Sequence, residues 1–308
     1  MILFTAHSSL FTLHSSLFTD YCLLFTDYCL LITNYWLLIT DYWLLITVYW
    51  LLKMTYCLGI INRFGIVMGA DSRTNAGVDY ISAYRKLFDF SVSGERVIMV
   101  CTSGNLSISQ GVIHELKRDL HNQEDKNLHS LTHLYDIAHY IGDKSRQVQA
   151  RERTWLEKDN IDFKCKFILG GQIKGEEPQL FLIYPQGNHI QATKETPFLQ
   201  IGETKYGKPI LDRTITYDTP LEEMAKCALL SIDSTMKSNI SVGPPIYLSM
   251  YEANSLSLRH KLQLRLGDPY LAKMRKLWED YVRQAFEAMP NVEWHYTDED
   301  PKEDIIID

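Results

Sequence analysis

The chain has 308 residues, of which 46% are hydrophobic and 22% charged, and its formal net charge is −7. These proportions are typical of a globular protein with a sizeable core, and the acidic balance argues against a nucleic-acid-binding protein, which would usually carry a basic stripe. The six cysteines show no CxxC spacing, so the sequence predicts neither a disulfide framework nor a zinc site, and a reducing cytoplasm suits it best.

The segment formed by residues 1–53 contains a tandem repeat of seven residues, which runs from HSSLFTL at His7 to YWLLKMT at Tyr49. One interpretation is a membrane span or signal segment, although it lacks a basic flank and carries Asp27 and Asp41 inside its apolar run. A second is a heptad coiled coil, although charged flanking partners are absent. We favour a third, in which repeated DNA is translated from a start placed too far upstream, so that this leader is excluded from the fold.

Beyond Met54, short apolar strands and amphipathic helices replace the repeat. Two hairpins are predicted first, and their strands cover residues 55–61, 66–72, 86–92 and 96–102. Two helices follow, because apolar residues recur at helical spacing over residues 112–120 and 131–141.

The middle of the chain returns to strands before its next helix. Strands are predicted over residues 163–169 and 180–184, and Gly170-Gly171 is predicted to form a tight exit between them. The run Thr219-Pro220-Leu221-Glu222 is typical of a capping box with proline at the first helical position, and it opens a helix that continues to Ile232.

The last part of the chain is predicted to contain two strands, over residues 246–251 and 262–266, and one long helix. Asp268-Pro269 starts this helix, whose apolar residues recur from Leu271 to Phe286. The acidic residues that follow, 297–308, are expected to be a disordered tail.

The predicted helices are grouped rather than alternating singly with strands. This grouping argues against a doubly wound parallel sheet and favours an α+β fold, in which antiparallel sheets carry helices on their outer faces. We expect one domain over residues 54–296, between the leader of residues 1–53 and the tail of residues 297–308.

The dipeptide Met54-Thr55 indicates unusual chemistry, because a small second residue permits removal of an initiator methionine. A chain that began with Thr55 would carry a nucleophile and a base on one residue. Its hydroxyl can attack a carbonyl while its α-amino group, with an ordinary pKa of about 8, accepts the proton. Cys57 is a rival nucleophile, but its place inside a strand is more typical of a small core residue.

Four short motifs follow in order, TYCLG at residues 55–59, GADSRTNAG at 69–77, YRKL at 84–87 and SGN at 103–105. In this order and spacing they resemble the β-type subunits of proteasomes, and in particular the bacterial proteasome-like group called Anbu, which is related to the HslV peptidase. The run GETKYGKP at residues 202–209 and the long final helix favour Anbu. The resemblance covers about residues 55–289 and implies a four-layer αββα sandwich of the N-terminal-nucleophile type.

The resemblance also implies roles for individual residues. Thr55 matches the family's nucleophile, and Asp71 matches the acid that fixes a lysine, here Lys86, beside the threonine. Such a cation would keep the amino group less protonated and help the hydroxyl to lose its proton. Gly104 matches the glycine whose backbone N–H stabilises the oxyanion of the tetrahedral intermediate.

The residues that brace the amino group in the family are matched best by SNISVG, residues 238–243. This segment offers Asn239 and Ser241 where an Asp and a Ser are expected, and Asp233 is an alternative inside the preceding helix. Lys86 has an alternative in Arg85, which we set aside because an arginine does not deprotonate and the strand phase favours Lys86.

We therefore expect a cytoplasmic threonine-type peptidase or amide hydrolase that acts through an acyl-enzyme and needs no cofactor or metal. The resemblance implies self-assembly into rings or helical stacks, with a peptide or amide substrate, no nucleic acid and no membrane. Two alternatives are an assembly scaffold of the same fold with little or no peptidase activity and a non-peptide amidase of the same superfamily. With the leader attached we expect an inactive protein, because the amino group of Thr55 would be tied up in a peptide bond.

Overall fold

The computed structural model of the chain describes residues 55–75 and 81–294, together with Thr33, Tyr35 and Trp36. The predicted leader, apart from those three residues, and the predicted acidic tail lie outside the described part of the chain. The last two residues of the GADSRTNAG motif, 76 and 77, also lie outside it.

Over the described part of residues 55–294, the chain forms twelve strands and five helices. In chain order they are β1 (Tyr56–Asn62), β2 (Gly65–Ala70), β3 (Arg73–Asn75), β4 (Ile81–Ala83), β5 (Leu87–Asp89), β6 (Arg96–Gly104), α1 (Leu106–His121), α2 (Leu134–Lys158), β7 (Cys165–Ile173), β8 (Gln179–Ile183), β9 (His189–Gln191), β10 (Phe198–Gly202), α3 (Lys208–Thr214), α4 (Leu221–Ser238), β11 (Ile246–Glu252), β12 (His260–Leu264) and α5 (Pro269–Glu287).

The first sheet has the strand order β10-β1-β2-β11-β12. Strands β1 and β2 form the predicted hairpin, with Cys57 opposite Ala70 and Asn62 opposite Gly65 in an antiparallel register. Both strands are buried along almost their whole length. This burial accounts for their near-continuous apolar sequences, because a strand covered on both faces has no solvent side for polar residues.

The second sheet has the strand order β5-β6-β7-β8-β9. Its longest pairing joins β6 to β7, from Arg96 opposite Ile173 to Gly104 opposite Cys165. The short strand β5 forms one edge of this sheet, with Leu87 opposite Cys101. The predicted second hairpin is therefore present, with β5 much shorter than β6.

The two sheets pack face to face and carry helices on their outer faces. Between the sheets lies an apolar core that includes Cys57, Met68, Met99, Ile168 and Leu180. A second core joins the second sheet to α1 and α2, and it includes Ile108, Leu116, Ile137, Ile141 and Phe167. Helix α4 covers the first sheet, and α3 packs against α4. The order helix, sheet, sheet, helix confirms the predicted αββα sandwich.

Backbone contacts divide the protein into two compact units, with the boundary after Gln263. The second unit contains α5, which begins after Asp268 as predicted, and the Asp268 side chain accepts a hydrogen bond from Tyr270 N at 2.9 Å. Several large apolar side chains of α5 are exposed, namely Leu277, Trp278, Tyr281, Val282 and Phe286. Among the helices of the described ranges, none combines the length and the apolar character needed to cross a bilayer.

The pair Gly170-Gly171 does not form the predicted exit between two strands. Both glycines lie inside β7, opposite Met99 and Ile98 of β6. A Cβ at Gly171 would meet the Val97 carbonyl oxygen at 2.0 Å. The prediction was wrong because it treated the glycines as turn formers, whereas their missing side chains allow close packing within the sandwich.

The start of α4 also differs from the prediction. The helix begins at Leu221, with Pro220 as the capping residue and no hydrogen bond from a capping side chain. The hydroxyl of Thr219, the predicted cap, instead accepts a hydrogen bond from Thr216 N at 2.9 Å. The capping-box prediction was wrong because Thr219 belongs to a local turn that precedes the helix.

Two strands are shorter than predicted, and the shortening matters for the site. Strand β2 ends at Ala70 and β5 begins at Leu87, so Asp71 and Lys86 lie just beyond the strand ends. The elements β3, β4, β9, β10 and α3 were not predicted. The strands β3, β4 and β9 have three residues each, which is too few to show a hydrophobic period.

Replacing Gly171 by alanine is expected to lower the free energy of unfolding by about 3 kcal/mol, because a backbone oxygen occupies the space that the new methyl group needs. Gly170→Ala is the matched control, since its methyl group would meet the flexible Met68 Sδ, at 2.7 Å. Its cost should be about 1 kcal/mol. Urea denaturation measures both, and equal losses for the two variants would contradict this account of β7.

Candidate active site

A buried carboxylate at the end of β2 accepts four hydrogen bonds. Asp71 is fully buried, and its Oδ1 accepts from Thr55 Oγ1 at 2.8 Å and from Lys86 Nζ at 2.7 Å. The backbone N–H groups of Tyr56 and Gly243 donate to the same carboxylate, each at 3.1 Å. Thr55, Asp71 and Lys86, three of the residues singled out from the sequence, are therefore brought together.

The hairpin of β1 and β2 brings Thr55 beside Asp71. Strand β1 begins directly after Thr55, and β2 ends directly before Asp71. Cys57 and Ala70 are register partners in this antiparallel pair. Because paired strands lie about 4.8 Å apart, the residue that precedes one strand and the residue that follows the other become neighbours.

Lys86 reaches Asp71 from the second sheet, where it lies directly before β5. Its side chain is 7% exposed, and its Nζ also donates to the Arg73 carbonyl oxygen at 2.6 Å. A buried ammonium is costly unless it is paired and hydrogen-bonded, and here it has both a carboxylate and a carbonyl. The neighbouring Arg85 is exposed, and its Nε donates to the Leu87 carbonyl oxygen at 2.6 Å.

Gly104 is the last residue of β6 and has a φ of +101°, which side-chain-bearing residues rarely adopt. A Cβ at this position would meet the Lys164 carbonyl oxygen at 2.3 Å. Two residues earlier, Thr102 N donates to the Lys86 carbonyl oxygen at 2.9 Å, which ties the end of β6 to the residue that bears the ammonium. The contacts of the described residues do not link Gly104 to Thr55 directly.

Ser241 is linked to Thr55 through two other residues. Its Oγ donates to Asn239 Oδ1 at 2.5 Å, and Asn239 Nδ2 in turn donates to Glu203 Oε2 at 3.4 Å. Glu203 N donates to the Thr55 carbonyl oxygen at 2.7 Å. Asp233, the alternative to Asn239, lies within α4 and is also buried.

Glu203 was not predicted to belong to the site. It is 5% exposed and follows Gly202, whose φ is +87°. A Cβ at Gly202 would meet the Thr55 carbonyl oxygen at 1.8 Å, so the end of β10 lies tightly against Thr55. The sequence contains one signal for it, a Gly-Glu pair at the end of an apolar segment, but glutamates are seldom buried and the pattern alone does not indicate which way the side chain turns.

Cys57, the rival nucleophile, lies in the core between the two sheets and is fully buried. Its Sγ donates a weak hydrogen bond to the Thr102 carbonyl oxygen at 3.4 Å. Its placement agrees with the core position that the strand pattern predicts.

The arrangement suits a hydroxyl that must lose a proton. Thr55 Oγ1 and Lys86 Nζ contact the same Asp71 oxygen, so an ammonium lies close to the hydroxyl and would stabilise negative charge on Oγ1. The Asp71 carboxylate is engaged by that ammonium and by two backbone N–H groups, so another group is needed as proton acceptor. Within the described ranges, no three His, Cys, Asp or Glu side chains are grouped as metal ligands.

Over residues 53–248 the chain matches the family model described as proteasome subunit. It is 42% identical to the solved Anbu, or ancestral β-subunit, of Yersinia bercovieri, with a TM-score of 0.74 and coverage of 79% of this chain and 100% of that one. It is 44% identical to the Anbu of Pseudomonas aeruginosa, described as a helical assembly, with a TM-score of 0.75 and coverage of 79% and 100%. For Anbu of Hyphomicrobium sp. strain MC1 the identity is 42%, the TM-score 0.70 and the coverage 78% and 100%. A comparison with curated proteins gives no match.

The variant Asp71→Asn is expected to lower the free energy of unfolding by about 3–5 kcal/mol, because it leaves the Lys86 ammonium buried without its counter-charge. Asp89→Asn is the control, since Asp89 also pairs with a lysine, Lys261, at 2.7 Å, but the two side chains are 24% and 48% exposed. Loss of such a pair costs about 1 kcal/mol or less. Urea denaturation of the two variants gives the comparison, and similar losses would argue against a stabilising buried pair.

Proposed function

Because the chain belongs to the proteasome subunit family and to its Anbu group, we propose that it is a threonine-type peptidase whose nucleophile is the hydroxyl of Thr55. One observation carries the proposal: Thr55 Oγ1 and Lys86 Nζ bond to the same oxygen of buried Asp71, at 2.8 and 2.7 Å. A hydroxyl beside a buried ammonium meets one requirement of an activated nucleophile, and a free α-amino group on Thr55 supplies the base.

The proposed reaction begins only when the residues up to Met54 have been removed. The free α-amino group of Thr55 takes the proton from Oγ1, and the oxygen attacks the carbonyl carbon of the substrate amide. The backbone N–H of Gly104 stabilises the oxyanion that forms. The proton then passes to the leaving amine as the C–N bond breaks, and an ester remains on Thr55. Water then hydrolyses this ester by the same two steps, attack on the carbonyl carbon and departure of the leaving group. The leaving group is now Thr55 Oγ1, which takes back its proton.

Lys86 and Asp71 act as a unit in this proposal. The Lys86 ammonium favours the neutral form of the nearby amino group and stabilises negative charge on Oγ1. Asp71 fixes the ammonium in place, because the flexible four-carbon side chain of lysine would otherwise sample many positions. Ser241 contributes at a distance, by orienting Asn239.

We further propose that the substrate is a peptide or another amide and that the protein works as an assembly of its own copies. The exposed apolar side chains of α5 support self-association, because contiguous apolar surface commonly marks protein–protein contacts. The Pseudomonas aeruginosa relative is described as a helical assembly. Four cysteines of the described ranges, Cys57, Cys101, Cys165 and Cys227, are free thiols, which supports a reducing cytoplasm.

A scaffold of the same fold with little peptidase activity is the second candidate, and Asn239 favours it. The resemblance predicts an acid at this position, and an amide supplies no charge to hold an ammonium. A non-peptide amidase would use the same chemistry as the peptidase and differ from it in substrate.

A cleavable chain tests the nucleophile. In it, the factor Xa sequence Ile-Glu-Gly-Arg replaces residues 51–54, so that cleavage leaves Thr55 as the first residue. We expect the cut chain to hydrolyse short peptide amides and to react with a peptide epoxyketone, which mass spectrometry detects. Thr55→Ala should lower both activities at least about a thousandfold, because the attacking oxygen is gone.

The control for this experiment is Thr193→Ala, which removes an exposed hydroxyl from a loop and should leave both activities unchanged. The uncut chain should be inactive. Labelling that survives Thr55→Ala, or equal activity before and after cleavage, would contradict the mechanism. A folded, cut chain that reacts with neither reagent would favour the scaffold.

Self-association through α5 is tested by Tyr281→Glu, which places a charge on the exposed apolar side of the helix. We expect the dissociation constant of the assembly to rise at least tenfold, about 1.4 kcal/mol, because the charge must lose its water to enter a contact. Lys276→Gln is the control, since it changes the net charge by the same amount at an exposed residue on the opposite side of the same helix. Analytical ultracentrifugation measures both, and equal effects would argue against an α5 contact.

A further inference from the structure

Glu203 leads to an inference that rests on the proposed function and deepens it. We propose that the Glu203 carboxylate is the counter-charge that holds the α-ammonium of Thr55 once Thr55 is the first residue of the chain. In this role Glu203 is a positioning residue for the catalytic base.

The strand register puts Glu203 next to Thr55. Gly202 of β10 is opposite Tyr56 of β1, so the next residue along β10 faces the residue that precedes β1. Glu203 N donates to the Thr55 carbonyl oxygen at 2.7 Å, which continues the pairing by one residue. Residues opposite each other in an antiparallel pair have Cβ atoms about 5 Å apart on the same face of the sheet. The carboxylate is therefore within reach of the amino group of Thr55.

The Glu203 carboxylate is buried without a cation. Its donors are Lys205 N and Asn239 Nδ2, both at 3.4 Å, and no Lys, Arg or His nitrogen of the described residues pairs with it within 4.0 Å. Three other buried carboxylates do have such a partner: Asp71 has Lys86 at 2.7 Å, Asp119 has Lys144 at 2.5 Å and Glu115 has Arg151 at 3.1 Å. A buried charge is costly without a counter-charge, so a cation beside the Glu203 carboxylate would stabilise the folded chain.

Release of Thr55 supplies that counter-charge. An α-ammonium is a cation with three donors, whereas the same nitrogen inside a peptide bond is neutral and has one. Lys86 does not serve Glu203, because its ammonium is bound to Asp71 and to the Arg73 carbonyl oxygen. The acid that the resemblance predicts at residue 239 is an amide here, and Glu203 provides the missing charge across its hydrogen bond to Asn239.

The charges around Thr55 determine the sign of the effect on its amino group. Lys86 disfavours the ammonium, whereas Asp71 and Glu203 favour it. On the neighbouring elements, Arg73 of β3 donates to the Ile240 carbonyl oxygen at 2.6 Å, and the buried Asp233 lies on α4, which packs on β1. Removing the Glu203 charge should therefore lower the pKa of the α-amino group, so that it stays neutral to a lower pH.

The test measures that pKa in the full-length cleavable chain after cleavage. The N-terminal amine is labelled with carbon-13 methyl groups and its NMR shift is followed across a pH series. We expect Glu203→Gln to lower the pKa by about one unit or more. Glu203→Asp keeps the negative charge but shortens the side chain by one methylene. The α-amino pKa should therefore fall in this variant too, but by less. Glu115→Gln removes a buried carboxylate of α1 and should change nothing.

The unlabelled cut chain gives a second readout. The acid limb of kcat/KM should move to lower pH in Glu203→Gln by the same amount as the α-amino pKa, because that limb reports protonation of the base in the free enzyme. A residue that only stabilised the fold would lower kcat/KM at every pH and leave the limb in place.

The outcomes separate this proposal from the proposed function. The role proposed for Glu203 is overturned if the α-amino pKa does not fall in Glu203→Gln. It is also overturned if that pKa falls further in Asp233→Asn than in Glu203→Gln. If Glu203→Gln does not fold, a fall in Glu203→Asp supports the proposal and its absence overturns it. If the cut wild-type chain reacts with no probe, the peptidase proposal is contradicted. The NMR titration of the α-amino group still decides the role of Glu203, because it requires only a free N-terminus.

Discussion

The Lys86 ammonium lies 2.7 Å from the Asp71 carboxylate, and both side chains are almost shielded from solvent. Moving two such charges out of water costs several kcal/mol for each, and only close pairing with further hydrogen bonds offsets that cost. Backbone N–H groups of Tyr56 and Gly243 and the carbonyl of Arg73 complete the set. Because these groups come from separate segments, the ion pair sets how both sheets and the loop after α4 approach one another.

The apolar core between the sheets strengthens the electrostatic interactions of these charged groups. Burial raises the pKa of the Cys101 thiol, and it raises the pKa of Tyr56 to about 12, so both groups stay neutral near the site. Coulomb interactions are stronger in such surroundings than in water, because few solvent dipoles are present to screen them. The Thr55 hydroxyl therefore lies where a small change in nearby charge would have a large effect on the loss or gain of a proton.

The sequence predicts the layers well, because long apolar periods and grouped helices constrain which faces must be buried. The resemblance to proteasome β-type subunits brings Thr55, Asp71 and Lys86 into one prediction, and in the structure the β1–β2 hairpin and the start of β5 place them together. The sequence does not predict Glu203, which depends on the pairing of β10 with β1, two strands far apart in the chain. The glycines of β7 were misread for the same reason, because their need for close packing depends on β6 rather than on adjacent residues.

Thr55 is anchored at several points that do not involve its own nitrogen. Its carbonyl oxygen accepts from Glu203 N, its hydroxyl donates to Asp71, and the next N–H donates to the same carboxylate. The site is thus assembled while the chain still continues upstream of Thr55. If Thr55 is released as proposed, a latent precursor would become active without refolding. One peptide bond is cut, and the new α-ammonium enters a site whose other groups are already in place.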